Sequence, residues 1–141
     1  MSIGPTRAED NAQAMYIEPA PAHTSIRVKG VRFVAALNGD TDHETSFEED
    51  RWIQGVLLEV KDFSDGDYVE LRVMLPSMPP TPDVELLLYA ETNYIGPSGR
   101  IEVVVPTSAK LPAGLYLKLT YHSVATAGNP PVVYPNFITW K

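Results

Sequence analysis

Residues 52–75, which read WIQGVLLEVKDFSDGDYVELRVML, carry the pattern that decides the fold. Two runs rich in β-branched and aromatic residues flank Ser64-Asp65-Gly66, and an Asp-Gly pair between such runs predicts a β-hairpin. In the second run apolar residues alternate with polar or aromatic ones. A period of two is typical of a strand that has one buried face. We therefore expect residues 52–63 and 67–75 to be antiparallel neighbours. The apolar set that we place in the core is Val69, Leu71, Val73 and Leu75.

The same pattern of short apolar runs separated by turn residues continues along the rest of the chain. Short apolar runs bounded by Gly, Pro, Asn or Asp predict further strands, and no segment after residue 25 has the period of an amphipathic helix. Roughly seven or eight short strands without such a helix predict an all-β fold, an antiparallel two-sheet β-sandwich of jelly-roll type. The additional strands are predicted over residues 26–37, 84–91, 101–105, 115–124 and 132–141.

Three segments stand out by composition. Residues 1–25 show no sustained period, so we predict an irregular N-terminal arm followed by a β-sandwich domain over residues 26–141. Residues 76–82, PSMPPTP, cannot supply a normal set of backbone donors for strand pairing because four of them are proline, and we expect a stiff linker that crosses between the sheets. Residues 40–50 hold many acidic side chains and no Lys or Arg, which is typical of an exposed loop.

Composition narrows the class of protein. A chain of 141 residues with 44% hydrophobic residues fits one domain with one core. The net charge of −7 and the lack of a basic stripe argue against nucleic-acid binding. The chain has no cysteine, no apolar run of the length that spans a bilayer, and no secretory signal at its start. The sequence therefore predicts a soluble domain with no nucleic-acid or membrane partner, held together without disulfides.

Catalytic motifs are scarce. The sequence contains no Gly-x-Ser-x-Gly elbow and no phosphate-binding glycine loop. His122 precedes Ser123, but consecutive residues of a strand face opposite sides, so we expect no dyad. Paired carboxylates would suit glycoside hydrolysis, yet nothing in the sequence selects two of them. We predict that the protein is not an enzyme. The carboxylates considered for that chemistry are Glu48, Glu49, Asp50 and Glu59.

Calcium is the cofactor for which the sequence offers most ligands, because aspartates and glutamates are hard oxygen donors. The two acidic segments lack the EF-hand spacing, and turn formation around Gly66 explains the second of them. We therefore predict no metal and no other cofactor. The candidate ligands are Asp40, Asp42 and Glu44 in the first segment, and Asp62, Asp65 and Asp67 in the second.

Aromatic and apolar side chains are the best candidates for a binding surface. Tyr68 and Tyr116 lie opposite the leucine faces of their strands, where a partner would cover them. Met15, Tyr16 and Ile17 are the apolar run of the arm, which we expect to clasp a neighbouring chain; a terminus without fixed contacts is the alternative. Tyrosines also stack on sugars, so a carbohydrate-binding β-sandwich is the alternative function, with a small sugar-modifying enzyme third.

Several segments, taken in order, carry a family resemblance: KGVRF (29–33), EDRWIQGV (49–56), GDYVE (66–70), LPAGLYLKLTY (111–121) and NFITWK (136–141). Through them the chain resembles small structural proteins of tailed bacteriophages over residues 29–141. It departs from that pattern at residues 74–80, MLPSMPP, where an acidic turn is expected. The resemblance implies a non-enzymatic virion protein, made in the host cytoplasm, that contacts copies of itself and other virion proteins in capsid decoration or the tail.

Overall fold

The computed structural model describes residues 26–95 and 98–141. Within these residues there is no helix, and so none that is long and apolar enough to cross a membrane. The described strands are β1 (Ile26–Gly30), β2 (Phe33–Val34), β3 (Gly39–Ser46), β4 (Arg51–Lys61), β5 (Tyr68–Leu75), β6 (Val84–Tyr94), β7 (Arg100–Leu111), β8 (Tyr116–Ser123) and β9 (Val132–Trp140).

The strands form two antiparallel sheets. One has the order β1-β9-β4-β7, with β2 also paired to β9, and the other has the order β3-β8-β5-β6. Because β1 and β2 pair with successive parts of β9, they act together as one broken edge strand. With β1 and β2 counted as one position, the order is that of a jelly roll. The predicted all-β jelly-roll sandwich is confirmed.

The core lies between the inner faces of the two sheets. In β5 the alternation is as predicted: Val69 and Leu71 are fully buried and Val73 is nearly so, whereas Leu75, at the end of the strand, is 42% exposed. In β8 the leucines and Tyr121 face inward with no exposed surface. Full burial of one such side chain contributes about 1.5 to 3 kcal/mol, so these alternating faces hold the sandwich together.

The predicted hairpin between residues 52–63 and 67–75 is wrong. β4 pairs with β7 and β9, whereas β5 pairs with β6 and β8. The intervening turn, with Asp62 and Gly66 at φ values of 60° and 99°, carries the chain from one sheet to the other. An Asp-Gly pair fixes only the local reversal. Because both strands have a buried apolar face, stacking those faces across the core removes more apolar area from water than side-by-side pairing would.

The predicted crossing of residues 76–82 between the sheets is also wrong. Leu75 pairs with Val84, so the segment joins two neighbouring strands of one sheet. The Ser77 amide donates a hydrogen bond of 2.9 Å to the Asp83 carboxylate and closes the loop at its base. Local turn chemistry, rather than the stiffness of proline, therefore decides where this connection goes.

The predicted loop over residues 40–50 is wrong for its first part, because β3 occupies Gly39–Ser46 and pairs with β8 along its whole length. The run of charges obscured an alternation in which Thr41, His43 and Thr45 are the less exposed residues. β3 is an edge strand of its sheet, and charged side chains on an edge oppose pairing with another chain. The outward acidic residues are Asp40, Asp42 and Glu44.

Candidate functional site

One part of the outer face of the five-stranded sheet is apolar across four adjacent strands. Alternate residues of β9, including Val133 and Phe137, are fully buried, so the residues between them face outward. The register of the sheet places further outward side chains beside these. We name the outward set the apolar face; it comprises Ile26, Val28, Trp52, Leu57, Val104, Ile138 and Trp140.

Cross-strand register makes the apolar face continuous. Ile26 lies opposite Trp140, which lies opposite Trp52. In the next row Val28 lies opposite Ile138. Directly opposed residues of an antiparallel pair have Cβ atoms about 4.5 to 5.5 Å apart, so their side chains touch. The exposed apolar groups therefore form one patch rather than isolated surface residues.

Gly55 keeps the middle of this patch flat. It lies opposite both Ile138 and Val104, at a point where the register of β4 shifts between Ile53 and Gly55. A Cβ atom at this position would come within 2.4 Å of the carbonyl oxygen of Val103. Only glycine allows such a close approach of two strands, so Gly55 fixes the bulge and leaves no side chain above it.

The side chains of the apolar face are exposed enough to indicate an interaction site. Val28 is 60% exposed, Ile26 58% and Val104 54%. Contiguous apolar patches on a soluble protein mark interaction sites, whereas single exposed apolar residues are ordinary. A second exposed apolar group lies along β5, β6 and their connection, but the β5–β6 pair contains register shifts, and such bulges oppose edge-to-edge pairing. Its members are Leu75, Met78, Val84, Leu86 and Leu87.

The outer face of the four-stranded sheet is polar, and its charges pair within the chain. His122 contacts Asp40 through Nδ1 at 2.5 Å and Glu70 through Nε2 at 2.7 Å. Arg72 donates to Glu70 at 2.9 Å and to Glu85 at 3.1 Å. The row runs across β3, β8, β5 and β6, so each strand of the sheet contributes one or two members. These contacts leave a surface whose charges are already matched.

This polar row is poorly suited to catalysis by histidine. Both ring nitrogens of His122 contact carboxylates, and Ser123 lies on the opposite, buried side of β8. Burial alone would raise the pKa of Glu70, but hydrogen bonds from His122 and Arg72 outweigh it and hold that pKa below its ordinary value. Glu70 is therefore an ionised structural partner rather than a proton donor near neutral pH.

The structure places two of the predicted partner-binding residues on this polar face. Tyr68 stacks on the ring of His122 with 4.2 Å between the ring centres. The Tyr116 hydroxyl donates a hydrogen bond to Asp83, and burial together with this bond raises the pKa of Tyr116. Both tyrosines are half-buried, and their role in partner binding stays a prediction. The remaining predicted residues, which lie outside the described residues, are Met15, Tyr16 and Ile17.

Asp67 has the structural role that the turn sequence predicts. Its fully buried carboxylate accepts hydrogen bonds from the Ser64 amide at 3.0 Å, the Val124 amide at 2.9 Å and the Tyr121 hydroxyl at 2.6 Å. These bonds tie the β4–β5 turn to the end of β8. In the part of the chain that is described, no three His, Cys, Asp or Glu side chains converge as metal ligands. The absence of a cofactor nevertheless stays a prediction.

Sequence analysis missed the apolar face, although part of its signal is present. Residues 56–58 and 103–105 are each three consecutive apolar residues. Neighbouring side chains on a strand point to opposite sides, so three in a row cannot all reach the core. Leu57 and Val104, the middle members, are the ones that face outward.

Comparison with protein-family models, with curated proteins and with solved structures finds no match for this chain.

Proposed function

We propose that this protein is a structural component of a tailed-bacteriophage virion, in capsid decoration or in the tail, and that it acts through protein–protein contacts. The observation that carries the assembly role is the apolar face. The virion setting rests on the sequence resemblance. Jelly rolls serve in capsid and lectin domains alike, so the fold is compatible with this role without selecting it.

The occupant that we assign to the apolar face is a second copy of this chain. The face is flat at Gly55, and its rim on β7 carries both signs of charge, in Glu102 and Lys110. A two-fold contact brings the same patch of both subunits together, and a rim with both signs can pair with itself. Contact with a copy would remove the apolar face of both subunits from water.

The energy of such a contact can be worked from exposure. Ile26, Val28, Leu57 and Val104 are between 45% and 60% exposed. Burying the exposed half of each side chain contributes roughly 3 to 6 kcal/mol per copy, and so roughly 6 to 12 kcal/mol for a two-fold contact, taking about 1.5 to 3 kcal/mol for full burial. Association costs about 4 to 15 kcal/mol, so these side chains alone support only weak pairing. Stable assembly then needs several contacts acting together, as they do in a particle.

Light scattering over a wide range of protein concentration tests the assembly role. The wild-type mass is expected to rise with concentration, whereas Leu57→Asp and Val104→Asp stay monomeric because each places a charge in the apolar face. Leu86→Asp is the matched control, since Leu86 is 50% exposed but lies in the other sheet. A wild-type protein that is monomeric at every concentration refutes self-assembly. Mass spectrometry of purified particles tests the virion setting, and absence of the chain from them refutes it.

Ile26, the first described residue, belongs to the apolar face, so residues 1–25 join the chain next to that face. We propose that residues 1–25 clasp a neighbouring chain and so add contact area to a weak interface. Deleting residues 1–22 should leave the melting temperature unchanged and reduce the assembled mass. An unfolded truncation would make the arm part of the fold, and an unchanged mass would refute the clasp.

The carbohydrate-binding alternative has one observation in its favour. A cavity of about 420 Å³ is lined by Phe47 and Tyr116 together with Glu44 and Ser46. Its size lies within the range of small-molecule sites, and it combines aromatic rings with oxygen atoms that can accept hydrogen bonds from sugar hydroxyls. A glycan array tests this alternative: binding that Tyr116→Ala abolishes supports it, and a wild-type protein that binds no glycan refutes it.

A further inference from the structure

A buried guanidinium with an unused donor lies at the start of β4. The Arg51 side chain is on the inner side of the sheet, and the residue is only 3% exposed. Its Nε donates a hydrogen bond of 2.6 Å to Oγ1 of Thr139. Its Nη2 is buried and has no hydrogen-bond partner among the described residues. A buried donor that makes no hydrogen bond is costly, so its presence points to a ligand that accepts from it.

A cavity of about 250 Å³ opens beside this guanidinium. Its lining consists of Arg51 with Arg27, Val28, Lys29 and Phe47. Three of these five side chains are cationic and none is acidic, and the Lys29 ammonium lies 5.3 Å from the centre of the Phe47 ring. One water molecule takes about 30 Å³ of liquid volume, so the cavity admits a group the size of a side chain.

The acidic groups nearest to the cavity offset its positive charge only in part. Glu48 and Glu49 line an adjoining cavity of about 300 Å³, which also includes Arg27 and Arg51. The Glu49 carboxylate is bound by Lys141, and this hydrogen bond, together with the attraction of Arg27 and Arg51, holds its pKa below the ordinary value. The direct ion pair of Glu49 is with Lys141, so the two arginines act on it from a greater distance. The lining beside Arg51 keeps an excess of positive charge, in a chain whose net charge is −7.

We propose that Arg51, with Arg27 and Lys29, is a receptor for a carboxylate that a neighbouring chain presents. The planar guanidinium matches the geometry of a carboxylate, and charge-assisted hydrogen bonds of this kind are strong. A carboxylate side chain also brings an apolar stem, which suits the wall formed by the Phe47 ring. An acidic chain displays many such side chains, so a second copy offers a complementary ligand.

The source of the carboxylate rests on the proposed assembly function, because β1 contributes both to this cavity and to the apolar face. The binding of a carboxylate at Arg51 is independent of it. A small probe therefore tests the site separately from assembly: N-acetyl-glutamate amide, which carries one side-chain carboxylate, with N-acetyl-glutamine amide as its uncharged counterpart. Ionic strength is held equal throughout, because salt screens exposed charges.

The acidic probe is expected to raise the melting temperature and to shift the ¹⁵N resonance of the Arg51 Nε, while the uncharged probe does neither. Arg51→Gln and Arg27→Gln should each weaken binding at least about tenfold, since each removes a cationic donor group. Arg100→Gln is the matched control and should bind as the wild type does. Arg100 is exposed, lies outside the cavity and pairs with Glu59 at 2.9 Å.

An acidic probe that binds no better than the uncharged one overturns the site, whatever the state of assembly. Inorganic phosphate that shifts the Arg51 resonance where the carboxylate does not also overturns it. If Arg51→Gln fails to fold, Arg27→Gln decides, because Arg27 is exposed. If the probe binds while light scattering shows only monomers, the carboxylate site stands and the proposed self-assembly falls.

Discussion

Replacing Asp67 with alanine removes a buried carboxylate on which three hydrogen-bond donors converge, one from the β4–β5 turn and two from the end of β8. Ser64 belongs to the β4–β5 turn, Val124 follows β8, and Tyr121 lies within β8, and each donates one hydrogen bond to this side chain. The residue has no exposed surface. Its loss would both open the turn and leave donors without a partner, so we expect a large fall in the free energy of unfolding.

The magnitude follows from the three bonds. Hydrogen bonds to a charged group contribute about 1.5 to 3 kcal/mol each. The bonds from Ser64 and Val124 are only partly buried, so water can replace the lost acceptor there. The Tyr121 bond is buried, and its hydroxyl would be left unpaired at a cost of about 1 to 3 kcal/mol. With a smaller loss from the two amides, Asp67→Ala should cost about 3 to 5 kcal/mol.

Urea unfolding, followed by the fluorescence of the two tryptophans, measures this change through the midpoint and slope of the transition. Asp65→Ala is the matched control, because Asp65 is an exposed aspartate of the same turn and should change stability by no more than about 0.5 kcal/mol. A double-mutant cycle with Tyr121→Phe isolates the buried bond. If Asp67→Ala lies within about 1 kcal/mol of Asp65→Ala, the assignment of Asp67 as a structural hub is wrong.

Three further predictions concern the bulge, the core and the polar row. Gly55→Ala should lower the melting temperature strongly, because its Cβ would lie 2.4 Å from the Val103 carbonyl oxygen. Gly39→Ala is the control and should have little effect, because the nearest contact of its Cβ is at 3.8 Å. Equal effects of the two substitutions would contradict the close approach at Gly55. Leu117→Asp should give no folded protein by circular dichroism, since the site is fully buried, and a native spectrum would refute the inward face. The folded-state pKa of Glu70 is depressed, so the contribution of this carboxylate to stability is fully present above about pH 4.5 and is lost as the pH falls through the folded pKa. The urea midpoint should therefore fall less on acidification in Glu70→Gln than in the wild type. Parallel plots of midpoint against pH would contradict this.

The inward and outward faces of individual strands were predictable from sequence. Leu71 and Leu117 are buried as their alternation indicates, because a period of two records directly which side of a strand meets the core. Leu75 fits the same alternation and yet is exposed, since periodicity does not show where the opposing sheet ends. Strand alternation is a local signal, and it predicts local properties.

Strand pairing was not predictable in the same way. β4 pairs with strands far along the chain, in a register that sets Trp52 opposite Trp140 on one side and Lys110 on the other. Nothing within residues 52–75 encodes those partners, and the turn sequence there suggested a nearer one. The choice depends on how two apolar faces stack across the core, which is a property of the whole chain.

The candidate sites also differ in how far the sequence alone predicts them. The apolar face left a partial trace in the run of three valines around Val104. The cationic cavity left none, because Arg27 and Arg51 come from β1 and β4, and both of these strands pair with β9. Thr139 of β9 lies opposite Arg27 and accepts the hydrogen bond from Arg51, so only the assembled sheet brings the two arginines together.

The position of β9 has a consequence for biosynthesis. This strand is formed by residues 132–140, yet it lies inside its sheet, with β1 and β2 on one side and β4 on the other. A nascent chain that lacks it leaves those strands with unpaired backbone groups and an open core. We expect the sandwich to close only after these residues leave the ribosome, so a prematurely terminated chain stays open to proteolysis. Folding is thus coupled to β9, and a chain cut before residue 132 should be degraded rather than accumulate.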